Sequence, residues 1–275
     1  MSFHFNQKKI NNVVIDPIQV NQVNPKDILG YDVIPMLYSN IFICGRKGSG
    51  KTNVLFTIMQ HCIGKNTNVV VFCNTCNSDK NWISIRKWLE NKKQPHVFYT
   101  DIYDDGVSRL GMLIDMIKEN DASELEKKEN KTEIEIFGRC DLEKPLHKKE
   151  YNNYPKYFIV LDDISGELRS KKDVQMLIKH MIYYKCKIAV CSQFPNDIDP
   201  ATRTQIDFWM LFKGFGKEKL EEVYPQFDFR DLEFEGFYEI YKEVTKIPHN
   251  FLYIDRDNNE LRNNFDSKII LPKQN

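Results

Sequence analysis

The segment from Ile41 to Thr52 constrains the fold of this 275-residue chain more than any other stretch. It reads IFICGRKGSGKT, which is a short apolar run followed by a glycine-rich turn with the spacing G-x-x-x-x-G-K-T. From Val54 to Cys62, apolar residues recur at helical spacing, which predicts a helix that starts at Lys51. A strand, a glycine-rich turn and a helix in this order are the context that a phosphate-binding loop, or P-loop, requires.

Each residue type in this loop suits the phosphates of a nucleoside triphosphate. Glycines let successive backbone N–H groups turn toward one point, and the start of the helix adds a positive field there. We expect Lys51 to reach the β- and γ-phosphates and Thr52 to offer its hydroxyl to Mg²⁺. The residues predicted to bind ATP are Gly45, Arg46, Lys47, Gly48, Ser49, Gly50, Lys51 and Thr52.

A second apolar run, YFIVL at residues 157–161, ends in Asp162 and Asp163. A strand of this kind, called a Walker-B strand, brings an acid to the carboxyl edge of the sheet, beside the phosphates. We expect Asp162 to hold Mg²⁺ through water and Asp163 to polarise the attacking water. Glutamate is usual at the second position and aspartate is one methylene shorter, so the role of Asp163 is the less secure of the two.

A third apolar run, residues 187–191, ends in Ser192 and Gln193. An amide at such a strand end can hydrogen-bond the γ-phosphate or the attacking water; a glutamine in an ordinary turn is the alternative. The guanine-reading pattern N-K-x-D is missing, because Asn91-Lys92-Lys93-Gln94 lacks its acid. The sequence therefore predicts an α/β P-loop NTPase of the RecA-like, additional-strand type. Its central sheet would be mainly parallel and flanked by helices.

Composition and spacing predict the organisation of the remaining chain. Residues 1–36 are predicted to form an N-terminal arm, and residues 37–215 the ATPase core. Within the core, residues 121–155 are dense in charge and poor in apolar residues, which is typical of a solvated insertion. Residues 216–275 are predicted to form an extension packed on the core. Its hairpin would be made of Phe237–Glu243 and Asn250–Asp255.

The overall charge limits the possible partners. The 39 Lys and Arg residues balance 39 Asp and Glu residues, which excludes a broadly basic coat for nucleic acid but leaves room for a local basic surface. No apolar run approaches the roughly 20 residues that a membrane-spanning helix needs. The seven cysteines lie mostly inside apolar runs, which is typical of reduced, buried thiols in a cytosolic protein.

Three motifs together indicate a narrower class: the loop Gly45–Thr52, the acids in Val160-Leu161-Asp162-Asp163, and Cys191-Ser192-Gln193. With the stretch from Arg203 to Phe208, they resemble the FtsK/HerA-type DNA-packaging ATPases of poxviruses, other large nucleo-cytoplasmic DNA viruses and their virophages. The resemblance covers roughly residues 38–215. It implies a homo-oligomeric ring, pentameric or hexameric, that hydrolyses ATP between subunits. Such a ring drives double-stranded DNA into a preformed capsid at its vertex proteins, in the host cytoplasm and viral factory, and can stay with the virion.

The resemblance also implies an arginine that acts on the ATP of a neighbouring subunit. Arg203 is the first candidate and Arg169 the second; a surface salt bridge is the alternative for each. Two other functions stay open at this point. One is a related helicase or conjugation-type DNA pump, and the other is a non-enzymatic nucleotide-binding scaffold of the virion.

Overall fold

A nine-stranded sheet forms the centre of the protein in the computed structural model, which describes residue 8 and residues 23–120, 153–168 and 172–271. A separate two-stranded ribbon stands beside it. In chain order the strands are β1 (Ser39–Cys44), β2 (Asn68–Cys73), β3 (His96–Tyr99), β4 (Tyr103–Asp104), β5 (Val107–Ser108), β6 (Tyr157–Asp162), β7 (Cys186–Ser192), β8 (Phe208–Phe212), β9 (Phe251–Asp255), β10 (Glu260–Asn263) and β11 (Ser267–Lys268), of which β4 and β5 form the ribbon.

Helices cover both faces of the sheet. They are α1 (Lys51–Cys62), α2 (Lys80–Asn91), α3 (residues 109–120), α4 (Ser165–Leu168), α5 (Lys172–Lys179), α6 (Pro200–Arg203), α7 (Lys217–Val223) and α8 (Phe234–Val244). Side chains of α1 and α2 pack on the sheet face that carries Ile41 and Ile43. Side chains of α3, α5, α7 and α8 pack on the face that carries Phe42. Because the central strands are buried on both faces, they consist of nearly continuous apolar residues. No helix in the described parts of the chain has the length and apolar character to cross a membrane.

The order of the strands is β11-β10-β9-β8-β1-β7-β6-β2-β3. From β8 to β3 every neighbouring pair is parallel. Strand β7 therefore lies between the P-loop strand β1 and the Walker-B strand β6, which confirms the predicted additional-strand arrangement. In a parallel sheet the carboxyl ends of all strands meet at one edge, and ligands bind in the crevice outside that edge.

Polar side chains join the opposite, amino-terminal edge of the sheet. The backbone N–H of Asn40 donates to the Asp207 carboxylate at 2.7 Å, which ties β1 to the residue before β8. The Asn40 amide also donates to the carbonyls of Ile178 and Gln205, at 2.9 and 2.8 Å. These bonds set the position of β1, and hence of the loop that leaves it.

The segment before β1 is fastened by a buried cation. Lys187 of β7 is fully buried, and its ammonium donates to the carbonyl of Met36 at 2.7 Å. Ile34 is also fully buried, so the end of the predicted arm packs into the core. The remainder of the arm, residues 1–22 apart from Lys8, lies outside the described residues.

The predicted strand over Phe237–Glu243 is wrong: these residues belong to helix α8. Phe237, Tyr241 and Val244 recur at helical spacing and are buried, whereas aromatic content alone had favoured a strand. The terminal hairpin is instead formed by β9 and β10. Because β9 pairs antiparallel with β8, the extension continues the main sheet.

One further boundary differs from the predictions. The charged insertion was placed at 121–155, but its last residues belong to the core. Tyr154 packs so closely on Gly64 that a Cβ there would lie 2.1 Å from its ring, and the carbonyl of Pro155 accepts from the Thr67 hydroxyl at 2.7 Å. Residues 121–152 lie outside the described residues.

Asp207 predicts a pH-dependent stability. Burial and the nearby carboxylates of Asp257 and Asp255 raise its pKa from 3.8 to about 7. The hydrogen bond from the Asn40 N–H and the charge of Arg256 lower this pKa but do not offset the rise. The folded state thus retains a proton that the unfolded state loses, so stability falls as pH rises from about 4 to about 7. We expect Asp207→Asn, which keeps an oxygen acceptor, to remove this fall. At pH 8 it should raise Tm by at least about 2–4 °C, the shift that one kcal/mol produces in a chain of this size.

Thermal melts from pH 5 to pH 8 check this expectation. Asp27→Asn is the matched control, because that carboxylate is exposed and is not among the groups that shift the pKa of Asp207. A wild-type Tm that rises from pH 5 to pH 7 relative to Asp207→Asn would contradict it.

Candidate nucleotide-binding site

The P-loop leaves β1 at Cys44 and enters α1 at Lys51. Its first glycine, Gly45, has no room for a side chain: a Cβ would lie 2.6 Å from the Ser49 hydroxyl and 2.7 Å from the Cβ of Phe212. Gly48 and Gly50 have φ angles of +78° and +109°, a region that side chains disfavour. The loop therefore needs glycine at each of these positions, for steric reasons at the first and for backbone reasons at the other two.

The backbone N–H groups of the loop form an anion-binding nest. Within the described part of the chain, the amides of Lys47, Gly48, Gly50, Lys51 and Thr52 donate no hydrogen bond. They gather at the amino end of α1, where the helix dipole adds positive potential. Unpaired backbone amides are costly when buried, so a ring of them beside a cavity is suited to an anion.

Lys51 lies across the nest. Its ammonium donates to the carbonyl of Gly45 at 2.6 Å and to that of Arg46 at 3.3 Å. These are carbonyls of the loop itself, so the lysine charge is held over the space that the amides surround. That Lys51 reaches the β- and γ-phosphates stays a prediction.

Asp162 ends β6 and is 8% exposed. Its Oδ2 accepts a hydrogen bond from the indole N–H of Trp82 at 2.8 Å and lies 3.9 Å from the Cys73 thiol sulfur. Burial raises the pKa of the Asp162 carboxyl, while the Trp82 bond and the positive charge of Lys51 lower it. The carboxylate is thus largely desolvated, and it lines the same cavity as Lys51, whose charge acts on it.

Asp163 has a left-handed backbone, with φ of +53°. This conformation is uncommon for residues other than glycine, although Asp and Asn tolerate it best. The Asn74 side chain donates to the backbone carbonyl of Asp163 at 3.1 Å and supports the turn. The side chain is exposed and lines the same cavity as Asp162. Its action on the attacking water stays a prediction.

Gln193 follows the end of β7, which pairs with both β1 and β6. The carbonyl of Ser192 accepts from the Gly45 N–H at 3.1 Å, so this strand end is attached to the P-loop itself. Gln193 is half-buried and lines the cavity together with Lys51 and Asp163. The three apolar runs of the sequence thus converge on one site.

Arg203 is at odds with the expectation of an arginine that reaches a neighbouring subunit. The residue is only 4% exposed and lies outside the lining of the cavity. Its guanidinium lies 3.6 Å from the Glu222 carboxylate and donates to the Asn196 side chain at 3.2 Å. Arg203 therefore pairs with residues of its own chain, as in the salt-bridge alternative stated for it above. Arg169 lies outside the described residues.

The sequence motifs did not predict several residues that line the cavity. The turn after β2 and the start of α2 supply Thr75, Asp79 and Asn81, which no motif marks. His249 comes from the loop before β9, and its Nδ1 lies 3.1 Å from the carbonyl of Ser49. The C-terminal extension was predicted to serve packing only, so this contact corrects that interpretation. Pairing of β9 with β8 brings the loop to the P-loop, and a local sequence signal cannot reveal such a contact.

The residues present fit a nucleoside triphosphate with Mg²⁺. The cavity has a volume of about 460 Å³ and is lined on one side by the amide nest and on the other by the acids. Thr52 and Asp162 would hold the cation, since Mg²⁺ usually takes one or two protein ligands in addition to phosphate oxygens. The donor set therefore matches the predicted cofactors, ATP and Mg²⁺.

Comparisons with known proteins give structural neighbours of low identity. No family model matches the chain, and no curated protein matches it. The genome packaging NTPase B204 from Sulfolobus turreted icosahedral virus 2, solved with AMP, is 14% identical, with a TM-score of 0.49 over 85% of this chain and 98% of that chain. The conjugation coupling protein TcpA of pCW3 is 10% identical, with a TM-score of 0.46 over 81% and 59% of the two chains. The cytoplasmic domain of the type VII secretion ATPase EccC from Thermomonospora curvata is 8% identical, with a TM-score of 0.44 over 84% and 23%.

The class of the protein follows from its own fold and site. A P-loop after β1, an acid pair after β6 and the interposed strand β7 define a P-loop NTPase of the additional-strand type.

Lys51→Ala is expected to weaken binding of Mg²⁺–ATP while the fold survives. The ammonium contacts only loop carbonyls among the described residues, so its removal leaves the core packing intact. Charged hydrogen bonds contribute about 1.5–3 kcal/mol each, which corresponds to a loss of about 10–100-fold in affinity. Calorimetric titration with ATP, together with a thermal melt, measures both effects.

Lys65→Ala is the matched control, because Lys65 is exposed beyond the far end of α1. Equal affinities for the wild type and Lys51→Ala would show that the P-loop is not the phosphate site.

Proposed function

We propose that this protein is an ATPase that translocates double-stranded DNA and packages a viral genome into a preformed capsid. The observation that carries the proposal is the convergence of Lys51, Asp162, Asp163 and Gln193 on one cavity at the carboxyl edge of the sheet. Nucleotide binding alone needs only the nest and the lysine. A second acid and an amide placed opposite them are the groups that hydrolysis requires.

Each residue has a distinct part in the proposed reaction. The loop amides and Lys51 bind the phosphates and stabilise the negative charge that grows on the transferred phosphoryl group. Asp163 accepts a hydrogen bond from the attacking water and aligns it, and Gln193 holds the water or the γ-phosphate in place. Mg²⁺, when bound, neutralises phosphate charge and orients the oxygens.

DNA as the cargo rests on the motif resemblance and on local charge. A neutral chain needs a clustered basic surface to bind phosphates of DNA. The outer side of α2 and the turn after it carry such a cluster: Lys80, Lys87, Lys92 and Lys93 are exposed. Helix α2 borders the nucleotide cavity through Asn81 in its first turn, so Lys80 lies close to the chemistry. Lys92 and Lys93, by contrast, follow the far end of the helix.

The active form is a homo-oligomeric ring, a pentamer or hexamer, docked on capsid vertex proteins in the host cytoplasm. A ring allows one subunit to complete the site of the next. Because Arg203 is committed to Glu222 of its own chain, another residue must supply the trans-acting charge. Activity is then expected to rise more steeply than linearly with protein concentration.

The decisive experiment measures ATP hydrolysis by the purified protein with and without duplex DNA. DNA-stimulated hydrolysis supports a translocase, whereas nucleotide binding without turnover indicates a scaffold. A blunt duplex that carries a displaceable block then distinguishes a packaging pump from a helicase. Displacement of the block without strand separation supports a packaging pump, and strand separation indicates a helicase.

Substitutions of Asp162 and Asp163 are expected to have different effects on binding and hydrolysis. Asp163→Asn should still bind Mg²⁺–ATP but hydrolyse it about 10²–10⁴-fold more slowly, since only the activation of water is lost. Asn also tolerates the left-handed backbone at this position. Asp162→Asn should weaken the Mg²⁺-dependent part of binding. Single-turnover hydrolysis and titration with ATP at several Mg²⁺ concentrations distinguish the two.

Asp105→Asn is the control for both variants. Asp105 is likewise an exposed aspartate with a left-handed backbone, with φ of +47°, but it lies in the β4–β5 turn. If Asp163→Asn loses Mg²⁺-dependent binding and Asp162→Asn loses only turnover, the two roles are reversed.

A further inference from the structure

The hydrogen bond between Trp82 and Asp162 joins two elements that are far apart in the sequence. The indole N–H of Trp82, on α2, donates to Oδ2 of Asp162, at the end of β6, at 2.8 Å. Both partners are buried, with exposed fractions of 1% and 8%. A hydrogen bond that is shielded from water in this way holds its acceptor more firmly than one at the surface.

The two carboxylate oxygens of Asp162 differ in their hydrogen-bond partners. The Trp82 bond and the longer contact from the Cys73 thiol both end on Oδ2. The described residues give Oδ1 no hydrogen bond, and Asp162 lines the nucleotide cavity. Oδ2 is therefore anchored by the protein, and Oδ1 is left for a ligand in the cavity.

Trp82 is itself held in a fixed orientation. Its ring meets that of Phe98 edge to face at 5.9 Å, and it belongs to the same buried cluster as Ile85 and Leu89 of α2. Asp79 caps the start of the helix and accepts from the N–H of Asn81 at 2.7 Å. The helix cap and the packing of the ring together hold the indole N–H toward Asp162.

We propose that Trp82 is a positioning residue for the cation site: its indole N–H fixes Oδ2 of Asp162 so that Oδ1 faces the metal that accompanies the nucleotide. This inference rests on the proposed nucleotide site and adds a residue to it. Partners of metal ligands commonly act in this way, and loss of one typically costs about 10–100-fold in metal affinity.

Trp209 provides a matched control. It is also fully buried, but its indole N–H has no hydrogen-bond partner among the described residues. Trp82→Phe and Trp209→Phe each remove a buried indole in favour of a smaller ring. Only the first removes a bond to the metal-binding acid, so a purely structural effect would appear in both.

The first experiment titrates Mg²⁺ at a fixed ATP concentration and follows nucleotide binding by the full chain. We expect Trp82→Phe to raise the Mg²⁺ concentration for half-maximal binding by about tenfold. Binding of ATP in the presence of a chelator should stay unchanged, and Trp209→Phe should titrate as the wild type does. Equal titrations for wild type and Trp82→Phe, or equal shifts for both variants, would overturn the proposal.

A second experiment keeps Trp82 in place, in case Trp82→Phe does not fold. Trp88 and Trp209 are replaced by Phe, so that the emission comes from Trp82 alone. Addition of ATP with Mg²⁺ is expected to change this emission, and Mg²⁺ alone or ATP with a chelator is not. Asp162→Asn in the same background should abolish the change. Unchanged emission on full Mg²⁺–ATP binding overturns the inference.

The outcomes for the wild type distinguish a failure of the proposed function from a failure of the role of Trp82. If the wild-type chain shows no Mg²⁺-dependent binding of ATP, the proposed function fails and this inference fails with it. If the wild type binds Mg²⁺–ATP and Trp82→Phe binds it equally well, the proposed function stands and only the role of Trp82 is refuted.

Discussion

Parallel pairing of β7 with both β1 and β6 is the constraint on which the site depends. The register joins Ile43 of β1 with Cys191 of β7, and Cys191 with Asp162 of β6, so the three strand ends lie at one level. Because parallel strands end on the same side, the P-loop, the acid pair and Gln193 emerge together. The site is therefore a consequence of strand order and register, and its residues need no long loops to meet.

Electrostatics then determines how the charged groups of the site are accommodated. Unpaired loop amides and Lys51 concentrate positive potential, and Asp162 places a desolvated carboxylate across from them. The carboxylate tolerates burial because Trp82 donates to it, and the lysine is satisfied by the Gly45 carbonyl. A nucleotide with Mg²⁺ would supply the complementary charges: phosphate to the amides and the cation to the acid.

The predictions that proved correct rest on local chemistry. The P-loop and its helix, the buried strands and the acids at a strand end each follow from residues adjacent in sequence. The errors arose where local patterns are ambiguous or silent. The run from Phe237 to Glu243 suits a strand by composition and a helix by periodicity, and packing against the sheet selects the helix. Arg203 was the first candidate for the arginine that acts on a neighbouring subunit, yet the fold pairs it with Glu222.

The sequence by itself determined which groups line the candidate site, because the P-loop and the acid pair are each contiguous in the chain. It also indicated the sheet order, because the polar end of a third strand implies a neighbour between the other two. Only the tertiary structure decided what surrounds those groups: Trp82 on Asp162 and His249 at the Ser49 carbonyl. These partners are 80 and 200 residues away in the chain, and side-chain contacts at such separations are set by how helices and strands pack, for which no local pattern exists.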